Sequence, residues 1–498
     1  IKDVKKYYKR CGYLLCLFYV LGTTDLHSEN IITSGEYPVF IDLETLITPL
    51  TLLNNKNINK LNDYIDRTYG LSVSRVGILP QWMLGPDTNV YSNSAIGGSK
   101  SSVLYPTVVW KNINKDNMYY EYVEQPAEEG KNKVFCNKIE QNPHDYLSEI
   151  TLGFSTFYNF LLENRNNRSF MKKIKSLSNL SSRFVFRATK VYTLLLDYLN
   201  HPDYMKNGVS RSLEFEILAK GLLLDTSKKY IFWNIFEDEL KHLEINDIPH
   251  YFCNTSNISV SSIYGKIYER AFQYSGIDKV TENIRNLSEN DRDFQMGIIK
   301  NSINTSLISE YLDNPVMSCT DYLKEYSRRD IERLVLEISD RVIESKIEVD
   351  GRCTWVSYVS NVVSHTYGYK PIGLDIANGN MGVAVFLGAV YRYTGDSRYL
   401  KEIDLAIQPI ADVLKYSWSS KEFISRFETG ITTGVSSVIY GFVKLFEFTG
   451  RKKYLKYAIR FANLVTDGDV VKATRQDIVS GNAGLLLSMV SLYELRGD

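Results

Sequence analysis

Apolar and polar positions alternate along the chain with periods that change several times. Residues 4–21 place Val4, Tyr7, Tyr8, Cys11, Leu14, Leu15 and Phe18 on one face of a helix, which Gly22 ends. Two short apolar runs follow, Ile31 to Thr33 and Val39 to Ile41, joined through Ser-Gly-Glu, and these predict a hairpin. From 50 to 135 the chain is polar and rich in Asn, Gly and Ser, with little periodicity apart from Val76 to Trp82, so a long loop region is expected there. Helical patterning returns over 145–200, where Ile150, Phe154, Phe157, Phe160 and Leu161 share a face. Further helices are expected at 211–224, 262–273 and 320–345, the last strongly amphipathic with Arg328, Arg329, Asp330 and Glu332 on its polar side.

Beyond residue 370 the chain repeats itself. Gly379-Asn-Met-Gly382, Gly434-Val-Ser-Ser437 and Gly481-Asn-Ala-Gly484 each open an apolar run that closes on Gly395, Gly450 and Gly497. First and last glycines are sixteen residues apart each time, and the units start 55 and 47 residues apart. Repeats of this length with helical periodicity imply stacked helical hairpins, each trailing glycine supplying a C-cap. The expected fold class is therefore mainly α with a small β portion (α+β). The chain stops at Asp498, just after the third unit, so the array is expected to be incomplete.

Bulk composition narrows the classes. A length of 498 residues calls for two or more domains. A formal charge of zero argues against a purely electrostatic nucleic-acid or membrane binder. Abundant Tyr, Lys, Asn and Ile point to an AT-rich coding bias more than to a function. The six cysteines, at 11, 16, 136, 253, 319 and 353, are scattered without a C-x-x-C pair, which suits a reducing cytoplasm, and Cys11 and Cys16 are read as core residues. No apolar run reaches membrane-spanning length, and the chain opens inside a Lys/Tyr-rich helix with no signal peptide. It is read as a fragment.

The chemistry concentrates in residues 23–44. Asp25, His27 and Asn30 form D-x-H-x-x-N, and Asp42 and Glu44 follow beyond the hairpin. Protein kinases space a catalytic-loop Asp and a metal-binding Asn in this way, with a second metal-binding Asp downstream, and the His makes this loop closer to that of lipid kinases. Asp25 is the candidate base, while Asn30 and Asp42 are candidate Mg²⁺ ligands, since Mg²⁺ takes a few carboxylate and amide oxygens together with phosphate. The bland alternative is a polar turn in which Asp25 and Asn30 cap backbone groups. Arg183 and Arg187, four apart, are placed on one helix face or one side of a strand, where paired guanidinium groups suit phosphate. A solvated basic face is the competing reading for that stretch alone. Asp477, just before Gly481, reads on pattern as a helix cap, and no His/Cys cluster has zinc-ligand spacing.

Together these residues resemble a known family. Thr24-Asp-Leu-His-Ser-Glu-Asn30 followed by Ile41-Asp-Leu-Glu-Thr45 is similar to the dehydratase domain of class II lanthipeptide synthetases, the LanM family. Val76 to Pro80, Arg183 to Tyr192, His201 to Tyr204 and Asp247 to Phe252 resemble segments of that domain in the same order. The glycine-led repeats resemble the start of the LanC-like cyclase domain. The resemblance implies a lipid-kinase-like catalytic lobe over 1–325 and an incomplete α/α toroid over 326–498. It implies an enzyme that uses ATP and Mg²⁺ to phosphorylate Ser and Thr of a ribosomal precursor peptide carrying a leader, and then eliminates phosphate. Cys thiols would then add to the resulting alkenes. It assigns Asp25, His27 and Asn30 to phosphorylation, Asp42 and Glu44 to metal and phosphate, Arg183 and Thr189 to elimination, and Asp477 to the cyclase pocket. A cytoplasmic location and association with an export transporter are implied as well, with no nucleic acid and no membrane span.

The family's nucleotide-binding lobe is expected to precede Ile1, and the cyclase's zinc ligands, with their Zn²⁺, to belong to later repeats. The polypeptide by itself is therefore expected neither to dehydrate nor to cyclise. A lipid-type kinase fused to a helical repeat domain, and an inactive kinase-like scaffold, are the other readings.

Overall fold

The computed structural model describes the chain except for residues 52–59, 85–89, 93, 97–103, 127–131, 201–203, 220–228, 314–326, 362–365, 416–419, 421–422, 425–426 and 497–498. Helices dominate and the sheets are small, most of them two-stranded. The chain divides into two compact units: residues 1–54, 72–83 and 91–303 form one, and 55–71, 84–90 and 304–498 the other.

In the first unit, helix α1 (Lys2–Leu21) buries Tyr7, Tyr8, Cys11, Leu15 and Cys16 almost completely and stops where Gly22 turns left-handed at φ 70°. Leu14, assigned to the same face from its spacing, is only half-buried. The hairpin β1 (Ile31–Ser34) and β2 (Tyr37–Phe40) turns at Gly35, φ 58°. Its Glu36 is gripped by Lys6 at 2.5 Å and Arg10 at 2.8 Å, cations one turn apart on α1. These hydrogen-bonded cations hold the Glu36 carboxyl down at about 2.

The expected loop over 50–135 is corrected in part. Lys60–Thr68 is helical, and β3 (Leu104–Lys111) pairs with β4 (Tyr119–Pro126) in a long antiparallel ribbon. Its strands carry the Val, Tyr and Trp that favour pleated backbone, a signal masked by the polar Asn-rich turn between them. Helix α2 (Leu147–Asn164) buries Ile150, Phe154 and Leu161 against α1. Phe160 is exposed, because Tyr158 occupies the inward position instead.

Strand β5 (Ser181–Phe184) leads to helix α3 (Thr189–Leu199). Gly208–Phe215 is helical and tightens into a 3₁₀ turn over Glu216–Ala219; the rest of the helix expected over 211–224 lies outside the described residues. Helix α4 (Lys229–Glu244) follows. The expected helix at 262–273 is wrong. That region closes an antiparallel sheet ordered β5, β6 (Tyr251–Asn254), β7 (Val260–Ser262), β8 (Ile267–Tyr268). Gly265 and Arg270, with φ of 79° and 57°, break any helix there.

The second unit is built on the repeats. Helix α5 (Arg328–Glu344) begins later than the expected residue 320, at a capping box made by Ser327 and Asp330; residues 320–326 lie outside the described ones. Helices α6 (Asn380–Thr394), α7 (Arg398–Asp412), α8 (Val435–Thr449), α9 (Lys452–Ala462) and α10 (Asn482–Arg496) follow, and α6, α8 and α10 are the apolar runs of the three repeats. Gly395 and Gly450 end α6 and α8 in the left-handed conformation, as their spacing predicts. The helix-opening loops are one motif used three times. A Cβ on Gly379, Gly434 or Gly481 would fall 2.5, 2.3 or 2.5 Å from the backbone of the loop six to four residues earlier. Successive loops also bond to each other, as in Ala377 N–H to Thr432 O at 3.1 Å and Ile431 N–H to Ile478 O at 3.1 Å.

One buried carboxylate in this unit sets an acid limit. Burial favours the neutral form of Asp412, but Arg352 Nε at 2.5 Å, Lys415 at 2.7 Å and Gln408 at 3.0 Å outweigh it and pull its pKa down. A depressed folded pKa stabilises fully above the unfolded value of about 3.9, and that contribution is lost as pH falls through the folded value. Asp412→Asn is therefore expected to flatten the acid limb of the stability curve. Urea midpoints between about pH 6 and about pH 3 measure this.

Candidate active site

Helix α1 delivers the candidate loop. Gly22 and Thr23 return N–H bonds to Tyr19 and Phe18, so the chain leaves the helix tightly. Two threonine ties then bind the loop to the acidic segment after the hairpin. Thr23 Oγ1 donates to Leu46 O at 2.7 Å, and Thr45 Oγ1 to Thr24 O at 2.5 Å. From the other side Leu26 N–H donates to Val76 O at 3.0 Å, which explains why the Val76 to Pro80 segment is apolar: Val76, Ile78 and Leu79 are buried beneath the loop.

Asp25 and Asp42 both sit at positive φ, 65° and 56°. For a residue with a Cβ this conformation costs of order 1 kcal/mol and persists only where surrounding contacts enforce it. Both carboxylates project to the surface. His27 Nδ1 accepts the Glu29 N–H at 3.3 Å, so a neutral ring carries its proton on Nε2, 3.8 Å from Asp25 Oδ1. Buried Asn30 donates its Nδ2 to the Asp25 backbone carbonyl at 2.8 Å. Its Oδ1 takes no donor among the described residues, which leaves an amide oxygen of the kind Mg²⁺ accepts. Asn30 also accepts Ile41 N–H on its carbonyl at 2.9 Å, so Asp42 stands directly beyond its partner strand. No three His, Cys, Asp or Glu side chains gather as a metal cluster among the described residues. A Mg²⁺ ion held by one amide, one carboxylate and nucleotide phosphates needs none.

Glu44 connects this cluster to a distant one. Its Oε1 lies 2.6 Å from Arg183 Nη1, and its backbone carbonyl accepts Ser182 Oγ at 2.7 Å. Two consecutive residues of β5 thus hold both ends of Glu44. Arg183 and Arg187 do not form the pair expected from their spacing. Arg183 belongs to β5, whereas Arg187 lies past the strand end and turns to α4, where Glu239 binds its Nε at 3.1 Å and its Nη2 at 3.2 Å. The same carboxylate accepts the Tyr192 hydroxyl. Thr189 is the exposed first residue of α3, and no side chain caps that helix. Glu239 was not legible beforehand, because only folding brings it to Arg187.

Asp477 lies in the other unit. It is exposed, and its Oδ1 accepts Ser480 N–H at 2.8 Å, a bond that lowers its pKa. Asp375, four residues before Gly379 as Asp477 is before Gly481, makes the same bond to Asn378 N–H at 2.6 Å. Both bonds lie within the loop and not at the first turn of the following helix, so the helix cap expected of Asp477 is a loop-closing contact instead, made in two of the three repeats.

Comparison with known proteins gives two regions. Residues 1–254 match a domain of unknown function (DUF4135), and residues 370–496 match the lanthionine synthetase C-like protein family. The chain is also 25% identical to the lacticin 481/lactococcin biosynthesis protein LcnDR2 of Lactococcus lactis subsp. lactis, over 99% of its own length and 52% of that protein's. It therefore spans about half the length of the curated relative it matches.

Proposed function

Because the chain belongs to the class II lanthipeptide synthetase family, with the DUF4135 and LanC-like regions in order, we propose that its first unit is the kinase-like catalytic lobe of a peptide dehydratase. The substrate is a ribosomally made precursor peptide with a leader. Asp25 accepts the proton of a Ser or Thr hydroxyl as it attacks the terminal phosphate of ATP. Asn30 and Asp42 would hold Mg²⁺, which would supply charge neutralisation at the nucleotide phosphates. His27 orients Asp25.

In the second step a base takes the Cα proton. The C–H electrons form the Cα=Cβ bond, and the Cβ–O electrons leave with phosphate. Arg183 and the open N–H groups of α3 beside Thr189 stabilise the departing anion. The LanC-like unit, with Asp477 at a repeat loop, belongs to the α/α-toroid cyclase that adds Cys thiols to the alkenes. Zn²⁺ supplied with the rest of that domain would activate them. The reading puts the enzyme in the cytoplasm, beside an export transporter.

The Glu44–Arg183 ion pair carries this reading. It ties the segment that carries Asp42 to the strand that carries Arg183, which supports one site for both steps. Incubating the enzyme at its full natural length with precursor peptide, ATP and Mg²⁺, and following masses, tests it; absence of both phosphorylated and dehydrated peptide overturns it. Arg183→Ala is expected to slow elimination by roughly 10²-fold, as loss of one preorganised charge-stabilising group does. Phosphopeptide then accumulates in the mass spectrum.

A further inference from the structure

Glu239 is the most buried charged group near the proposed elimination cluster, with 1% of its surface exposed, and none of the roles above uses it. A carboxylate so buried is stable only if its partners satisfy it. Its partners both belong to the segment that presents Thr189. Arg187, two residues before Thr189, lays its guanidinium edge on the carboxylate through Nε at 3.1 Å and Nη2 at 3.2 Å. Tyr192, three residues after Thr189 and fully buried, donates its hydroxyl to Oε1. The contacts therefore bracket Thr189 from both sides.

The surroundings make the bracket rigid. Tyr192 packs in an apolar cluster with Leu195, Phe215, Phe236 and Leu243. Phe184 and Phe186, before Arg187, pack on the sheet beside Tyr251 and Phe272. Ala188, the residue before α3, has no side chain to cap the helix, so nothing local fixes the direction of its first turn. Besides that apolar packing, the contact that reaches both sides of Thr189 is Glu239 of α4.

We infer that Glu239 is a positioning residue for phosphate elimination: by clamping Arg187 and Tyr192 it aims the first turn of α3, with Thr189, at the leaving phosphate. The inference rests on the dehydratase reading. It also separates the two steps, since Asp25, Asn30 and Asp42 are held by Thr23, Thr45 and Val76 and not by α4.

The test uses the full-length enzyme with precursor peptide, ATP and Mg²⁺, and separately with a peptide already carrying phosphothreonine, ADP and Mg²⁺. Glu239→Gln keeps an acceptor for Tyr192 but removes the negative charge that faces the Arg187 guanidinium. It is expected to lower kcat for elimination about tenfold, with KM for the phosphopeptide and the phosphorylation rate unchanged, so that phosphopeptide builds up. Ile235→Val, one turn earlier on α4 and buried, controls for general loosening of the helix. The inference is overturned if Glu239→Gln leaves the ratio of phosphorylated to dehydrated peptide unchanged, or if Ile235→Val shifts it equally. If the unsubstituted enzyme leaves phosphothreonine peptide intact, the dehydratase reading itself falls.

Discussion

Replacing Asp25 by Asn is expected to slow phosphorylation of the precursor peptide by on the order of 10³-fold, within the range that a positioned general base supplies. The substitution keeps the size of the side chain and the backbone hydrogen bond from Asn30 Nδ2 to the Asp25 carbonyl, so the loop keeps its shape. Asn even tolerates the left-handed φ of 65° better than most residues. What disappears is the acceptor for the hydroxyl proton. Asp42→Asn is expected to fall similarly, by weakening the Mg²⁺ site. Time courses of peptide mass with ATP and Mg²⁺ read both, and neither phosphopeptide nor alkene accumulates. Arg183→Ala gives the opposite product pattern, which separates the two steps. Full activity in Asp25→Asn would leave the loop as a polar turn, and nucleotide binding indifferent to Asp42→Asn would favour an inactive scaffold.

The second large effect concerns folding. Helices α1 and α2 cross with backbones nearly touching, because both partners at the crossing are glycine. A Cβ on Gly12 would lie 2.1 Å from Ile150 O, and one on Gly153 only 2.0 Å from Lys9 O. Both blocking atoms are main chain, which cannot rotate away. Gly→Ala in an exposed helix gains up to about 1 kcal/mol from propensity. Here it must separate two helices packed over Tyr7, Tyr8, Cys11, Ile150 and Phe154, all buried. Each of Gly12→Ala and Gly153→Ala is expected to cost about 3 kcal/mol net, the upper end of overpacking. In a unit of this size that lowers Tm by roughly 6–12 °C. Gly297→Ala, where a Cβ meets nothing within 4 Å, is the control expected to leave Tm unchanged or raise it. Since α1 carries the Asp25 loop at its end, the same variants should also reduce phosphorylation.

Local pattern was a good guide where one short segment makes its own structure. The α1 face, the Gly22 stop, the hairpin at Gly35 and the glycine caps of the first two repeats all followed from periodicity and left-handed glycine, while Gly497 lies outside the described residues. It failed where the sheet had to decide. Residues 262–273 carry enough apolar spacing for a helix, yet pairing with Tyr251–Asn254 makes strands of Val260–Ser262 and, beyond it, Ile267–Tyr268. The β3–β4 ribbon was lost in a stretch whose average polarity looked like loop.

The candidate site divides along the same line. Asp25, His27, Asn30, Asp42 and Glu44 lie within twenty residues, so their spacing alone made them the candidates for phosphate and metal chemistry. Arg183 gained its place only by pairing with Glu44, 139 residues earlier in the chain. Arg187, expected beside Arg183, was turned away by Glu239, whose burial no local pattern signals. The sequence by itself determined which polar side chains gather around the Asp25 loop, because a loop and a hairpin place their side chains by backbone geometry within a few residues. Only the tertiary structure decided which cation meets which carboxylate, because ion pairs between distant segments depend on how β5, α3 and α4 pack, and that packing is a property of the whole unit.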